Sequence, residues 1–197
     1  PLPKLVVFDL DECLWHPEMY TLDEIPNKDA ALRNTDSLVV GVKSSGQTIS
    51  LYPGALQALQ KIHAGEYPGM RCAAASSADT PLAVSIGRAA LSILEVVPGV
   101  TVRDVFAIGF PKGFEGNLQI GRSGSLSSRK EDTHFPLLKS LCNIDYSGML
   151  FFDDCNWGDH CTNVSQKCKG VISVKTPRGL QVDEWNKGLQ LYNDSNR

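Results

Sequence analysis

Two carboxylates, Asp9 and Asp11, close an uninterrupted apolar run, Leu5-Val6-Val7-Phe8. A run of that kind suits a strand buried on both faces. Side chains alternate along a strand, so Asp9 and Asp11 leave its end on the same side. Acids so close repel each other unless a cation lies between them, and hard oxygen ligands suit magnesium. The plain alternative is an Asp-rich turn after a strand. A second apolar run, Met149 to Phe152, also ends in acids, Asp153-Asp154. Between the two lie a small-residue run ending in Ser76-Ser77 and a lysine, Lys130, ahead of an apolar-periodic segment.

The intervening elements must bring these groups together. Leu38 to Val42 and Gln47 to Tyr52, around Lys43-Ser44-Ser45-Gly46, predict a β-hairpin that could act as a flap. Pro53-Gly54 marks a break, and Leu56, Leu59 and Ile62 then recur at helical spacing. Met70 to Ala75 reads as a strand. A helix capped by Asp79 or Thr80, with Pro81 in its first turn, carries Leu82, Ile86, Ala90 and Leu94 on one face. Asp104 to Ile108 reads as a further short strand. Phe110 to Ser128, rich in Gly and Ser, reads as a surface loop with a small hairpin around Leu118 to Ile120. Thr133 to Cys142 reads as a helix burying Phe135, Leu138 and Leu141, with Pro136 confined to its first turn. Helices over about 156–168 and after Pro177-Arg178-Gly179 bracket a strand from Gly170 to Val174. Strands alternating with helices imply a mainly parallel sheet covered on both faces, with its site beyond the carboxyl ends of the strands. That edge would hold Asp9, Asp11, Ser76, Asp153 and Asp154 together, which turn propensity alone does not explain.

The four parts, in this order, resemble the haloacid dehalogenase superfamily. Finer features resemble its magnesium-dependent phosphatase branch, which has little cap: Phe8-Asp9-Leu10-Asp11-x-x-Leu14-Trp15, Leu51-Tyr52-Pro53, Ala74-Ala75-Ser76, Thr133-His134-Phe135 and Phe151-Phe152-Asp153-Asp154. The resemblance implies an α/β, Rossmann-like three-layer sandwich over 1–197 as one phosphatase domain, with 16–52 inserted as a hairpin flap. It also implies a phosphomonoester hydrolase using Mg2+ and acting on protein phosphotyrosine or sugar phosphates. Carboxylates can serve as nucleophiles in phosphoryl transfer. Asp9 is the expected nucleophile and Asp11 the general acid and base. The expected metal ligands are Asp9, the Asp11 backbone carbonyl and Asp154, with Asp153 outer-sphere. Ser76, with Ser77 as its rival, would hydrogen-bond the phosphoryl oxygens, and Trp15 and Tyr52 could line the mouth. Lys130 would bridge Asp9 and the phosphate. The family's lysine usually sits three residues before the histidine, where this chain has Glu131, so Arg129, Lys112 and Lys139 compete with it. Cys13 stands where the family more often has Thr, and packing or an oxidisable thiol would explain it.

Other classes are disfavoured. A net charge of −3 offers no basic footprint for nucleic acid. No apolar stretch is long enough for a bilayer and no signal peptide is recognised. Six cysteines without a C-x-x-C pair suit reduced thiols, hence a cytoplasmic chain, expected to be monomeric. His160, Cys161 and Cys168 match no standard zinc spacing. Two alternatives remain: a phosphoserine phosphatase resembling those acting on the RNA polymerase tail, and a phospho-ligand-binding protein without turnover.

Overall fold

The computed structural model describes residues 1–196. In chain order its strands and helices are β1 (Leu5–Phe8), β2 (Trp15–His16), β3 (Ala31–Arg33), β4 (Val39–Ser44), β5 (Gln47–Leu51), α1 (Pro53–His63), β6 (Arg71–Ser76), α2 (Pro81–Leu91), β7 (Glu95–Val97), β8 (Val100–Thr101), α3 (Val102–Phe106), β9 (Leu118–Ile120), α4 (His134–Cys142), β10 (Met149–Asp153), α5 (His160–Lys167), β11 (Ile172–Lys175) and α6 (Val182–Ser195). The central sheet has five parallel strands in the order β11-β10-β1-β6-β9. β1 lies in the middle, and all four of its residues are fully buried.

Alternation along these strands builds two cores. Val6, Phe8, Ala74, Leu150 and Phe152 face one side, packed with Leu59, Ile86, Phe106 and Trp185 of α1, α2, α3 and α6. Leu5, Val7, Ala73, Ala75 and Phe151 face the other, against Phe135 and Leu138 of α4 and Val164 of α5. The result is the three-layer α/β sandwich expected from the alternation of strands and helices. Each large apolar side chain so buried contributes about 1.5–3 kcal/mol, so a charge in the middle of β1 would be heavily penalised. Charges are admitted only where β1 ends.

Between β1 and α1, a separate antiparallel sheet runs β2-β5-β4-β3. Its hairpin is tighter than the four-residue loop expected. Ser44 pairs with Gln47, and Ser45 and Gly46 alone turn the chain, both at positive φ (52° and 77°). That geometry suits the right-handed twist of the flanking strands.

Several local expectations fail. Asp104 does not open a strand: the Thr101 hydroxyl accepts from the Asp104 N–H while the Asp104 carboxylate accepts from Thr101, a capping box that starts α3. Leu118–Ile120 forms no hairpin; it pairs in parallel with Ala74–Ser76 as the sheet's edge strand. Leu141 is exposed and Cys142 takes its buried place, because α4 begins at His134.

Candidate active site

The register of the sheet assembles the site. Phe8 lies level with Phe152 on one side and Ala74 on the other, and the Asp9 N–H donates to the Phe152 carbonyl at 2.9 Å. Asp9 and Asp153 are therefore neighbours at one carboxyl edge, and Ser76 ends the strand on the opposite side of β1. Into this edge comes Lys130 from the turn before α4. Its side chain is fully buried, and Nζ donates to Asp9 Oδ1 and to Asp153 Oδ2, both at 2.7 Å. Among the rivals, Arg129 pairs with Glu131 and Asp132, and Lys139 pairs with Asp145. Lys112 lies outside the pocket lining. The lysine that meets Asp9 is Lys130, one residue out of the family's usual register.

One buried ammonium serves three carboxylates. Oxygens of Asp9, Asp153 and Asp154 lie within 4.8 Å of one another. Burial pushes Asp9 up to about 7, against the pull of Lys130 and with the push of Asp153. Burial, then the charges of Asp9 and Asp153, push Asp154 up to about 8. Burial pulls the Lys130 ammonium down, but Asp153 and Asp9 outweigh it and hold it above its ordinary value. The cluster is thus short of positive charge, and its donors are all hard oxygens, a set suited to Mg2+ or Ca2+. Both Asp153 oxygens are already engaged, Oδ2 by Lys130 and Oδ1 by the Cys155 N–H at 2.7 Å. Asp9 Oδ2 and Asp154 Oδ1 accept no hydrogen bond from any described residue.

Asp11 is held differently. Its Oδ1 accepts from the Trp15 indole N–H at 3.0 Å and its Oδ2 from the Met19 N–H at 2.9 Å. Burial raises it to about 7, and these two hydrogen bonds oppose the rise. Met19 is itself seated on α2 at Gly87, where a Cβ would come 2.5 Å from the Met19 sulfur. Trp15 is fully buried, so it does not line the mouth; it fixes Asp11 from behind. Tyr52 also misses the mouth, its hydroxyl donating to Glu12 at 2.6 Å.

His134 ties the lysine turn to the serine strand. Its Nε2–H donates to the Ser76 carbonyl at 3.0 Å, so Nδ1, 3.0 Å from the Thr133 hydroxyl, is the acceptor. Burial, with help from the nearby Lys130 charge, lowers His134 to about 4 and keeps the ring neutral. Cys13 is fully buried; burial and the Asp9 charge push its thiol well above the ordinary range. A thiol held protonated in this way is a poor target for oxidation. All six cysteines are free, and among the described residues no group of histidines and cysteines could hold a metal.

Asp9, Asp11, Ser76, Ser77, Lys130, Asp153 and Asp154 open into one pocket of about 570 Å³. The Ser76 and Ser77 hydroxyls have no partner among the described residues, although Ser76 is buried. The mouth carries residues that sequence reasoning passed over: Glu18, Tyr20, Arg122 and Trp157. Trp157 is 74% exposed, lies edge-on to Tyr20 and donates to both oxygens of Glu18 at 3.0 Å. The sequence predicts it inside a helix, but that helix begins only at His160. The polar composition of 156–159 was the available signal.

The model of the acid phosphatase family matches residues 1–195. The chain belongs to the acid phosphatase family. It is a phosphatase of the haloacid dehalogenase superfamily, as its ordered motifs implied, and its substrate is a phosphate ester. Human magnesium-dependent phosphatase 1 is 24% identical over 194 residues, covering 97% of this chain and 88% of that protein. Among solved structures, the N-terminal part of BF1531 from Bacteroides fragilis, containing a phosphatase domain complexed with Mg, is similar in fold. It aligns with a TM-score of 0.55 and 14% identity over 98% of this chain, which spans 40% of that structure. Among the described residues no helix is long and apolar enough to cross a membrane.

Proposed function

We propose that this acid phosphatase hydrolyses phosphate monoesters with magnesium, through a phosphoryl group carried on Asp9. The observation that carries the reading is the buried bridge from Lys130 to Asp9 and Asp153 beside Asp154, at the pocket floor. Magnesium would be held by Asp9, Asp154 and the Asp11 backbone carbonyl, and when bound it would draw charge from the phosphoryl oxygens. The free Asp9 Oδ2 and Asp154 Oδ1 support this choice. Asp153, with both oxygens engaged by Lys130 and Cys155, fits an outer-sphere role. The cofactor in the name of the human relative points the same way.

In the first step an Asp9 oxygen attacks phosphorus, an Asp9 O–P bond forms and the ester P–O bond breaks. Protonated Asp11 passes its proton to the departing oxygen, which its raised pKa allows near neutral pH. In the second step water attacks phosphorus, gives its proton to Asp11 and displaces the Asp9 carboxylate as inorganic phosphate forms. Lys130 holds Asp9 aligned throughout, and the unpartnered hydroxyls of Ser76 and Ser77 take the phosphoryl oxygens. The residues between the motifs add only a small antiparallel sheet, so the mouth can admit a phosphotyrosine side chain as well as a sugar phosphate. The sites on Asp9 and Asp11 favour turnover over mere phosphate binding, and nothing in the pocket favours phosphoserine. The test is hydrolysis of an aryl phosphate with magnesium, with EDTA and in Asp9→Asn. Activity lost in both of the last two is expected; hydrolysis persisting in Asp9→Asn would exclude the mechanism.

A further inference from the structure

Arg122 follows the edge strand β9, and the mechanism leaves it without a task. Two consecutive residues peg this segment to the end of β6: the Gly121 N–H donates to the Ser76 carbonyl at 2.8 Å, and Arg122 Nε–H to the Ser77 carbonyl at 2.7 Å. The arginine is thus anchored through Nε. Its two terminal nitrogens donate to no described residue, and it forms no ion pair, although Asp79 lines the same pocket. The pocket's other cations are spoken for, Lys130 by Asp9 and Asp153, Arg129 by Glu131 and Asp132.

Its height in the pocket decides what it meets. The transferring phosphoryl group must seat on the floor, against Asp9 and Lys130, which are both buried. Arg122 is exposed, on the wall beside Ser77, two strand spacings of about 4.8 Å from the β1 row. It faces the part of a substrate beyond the phosphate. Across the mouth Glu18, bound by the Trp157 indole and by no cation, supplies negative charge. An anion in the mouth is therefore drawn to the Arg122 wall, where a pre-anchored guanidinium fork matches carboxylate or phosphate oxygens.

We infer that Arg122 is a specificity residue selecting phosphate esters that carry a second anionic group, a carboxylate or a further phosphate, outside the reacting centre. This rests on the phosphatase reading above. The probes are 4-carboxyphenyl phosphate and its neutral isostere, 4-carbamoylphenyl phosphate, assayed with magnesium. A charge-assisted contact at an exposed wall should favour the carboxylate ester about tenfold in kcat/KM, chiefly through KM. Arg122→Gln should bring the ratio close to one, Arg122→Lys should keep part of it, and high salt should erode it in the parent. A second pair, phosphotyrosine peptides with a neighbouring Glu or Gln, tells whether the anion can be a protein side chain; a preference there confined to the parent supports the same role. A parent ratio near one for both pairs overturns the inference while leaving the phosphatase reading intact. So does an Arg122→Gln variant that loses both members of a pair equally, since that assigns the arginine to the transferring phosphate. No hydrolysis of any probe overturns the phosphatase reading and this inference with it.

Discussion

Removing the positive charge from the site floor is the perturbation that most directly examines how the fold tolerates its own buried acids. In Lys130→Met a similar volume is kept and the ammonium is lost. The wild-type Nζ lies 2.7 Å from oxygens of both Asp9 and Asp153. At an effective dielectric of about 20, each contact at that distance corresponds to roughly 6 kcal/mol of Coulomb attraction before desolvation. Desolvation of the lysine returns most of that, and breaking a buried pair from one side typically costs about 3–5 kcal/mol. We therefore expect a loss of about 4 kcal/mol in EDTA at pH 8. The loss should depend on pH in a defined direction. Asp9 and Asp154 have folded pKa values of about 7 and about 8, above the ordinary carboxylate value. Their contribution is present below the unfolded pKa and is lost as pH rises through the folded one. Without Lys130 they rise further, so the deficit should shrink by pH 5, where protons replace the missing cation. Magnesium at a hundredfold excess over Kd should stabilise either protein by about 2.7 kcal/mol, so it changes the deficit only as far as the two proteins differ in Kd. Urea unfolding of both proteins at pH 5 and pH 8, with EDTA and with magnesium, measures all of this. A deficit under about 1 kcal/mol at pH 8, or one equal at both pH values, would refute the reasoning.

Trp15→Phe keeps the buried ring but removes one of the two donors to Asp11; losing such a bond should raise the Asp11 pKa by about one unit. In the proposed mechanism the first step needs protonated Asp11, so the alkaline limb of its pH–rate profile should move to higher pH, and an unmoved limb would dissociate Trp15 from Asp11. His134 has its pKa lowered to about 4 from 6.5 by burial and the Lys130 charge, so its contribution is complete above 6.5 and is lost as pH falls toward 4. The full span corresponds to about 3 kcal/mol. His134→Gln should flatten the denaturation midpoint across that window, and parallel profiles for parent and variant would contradict the assignment.

Much of the site was legible because its chemistry and its topology share one cause. An apolar run that ends in acids can be buried only as a strand whose carboxyl end reaches solvent, and two such runs in one parallel sheet must bring their acids together. Asp9, Asp11, Ser76, Asp153 and Asp154 follow from that rule and from the order of the motifs. Local rules misled where long-range partners outvoted them. Leu118–Ile120 looked like half of a hairpin, but Ala74–Ser76 offered an open edge. Asp104 lay in an apolar stretch, but its carboxylate closes a capping box with Thr101.

The sequence by itself determined the α/β architecture and the sheet edge on which the acids of the pocket gather, since these depend on periodicity and on where apolar runs stop. Only the tertiary structure decided that Lys130, rather than Arg129, Lys112 or Lys139, meets Asp9, because that depends on how the turn before α4 packs against β10. It likewise turned Trp15 inward to hold Asp11, left Trp157 at the mouth, and anchored Arg122 on the pocket wall beside Ser77. Each of these is set by a contact between residues distant along the chain, or by burial, and neither is encoded in local spacing.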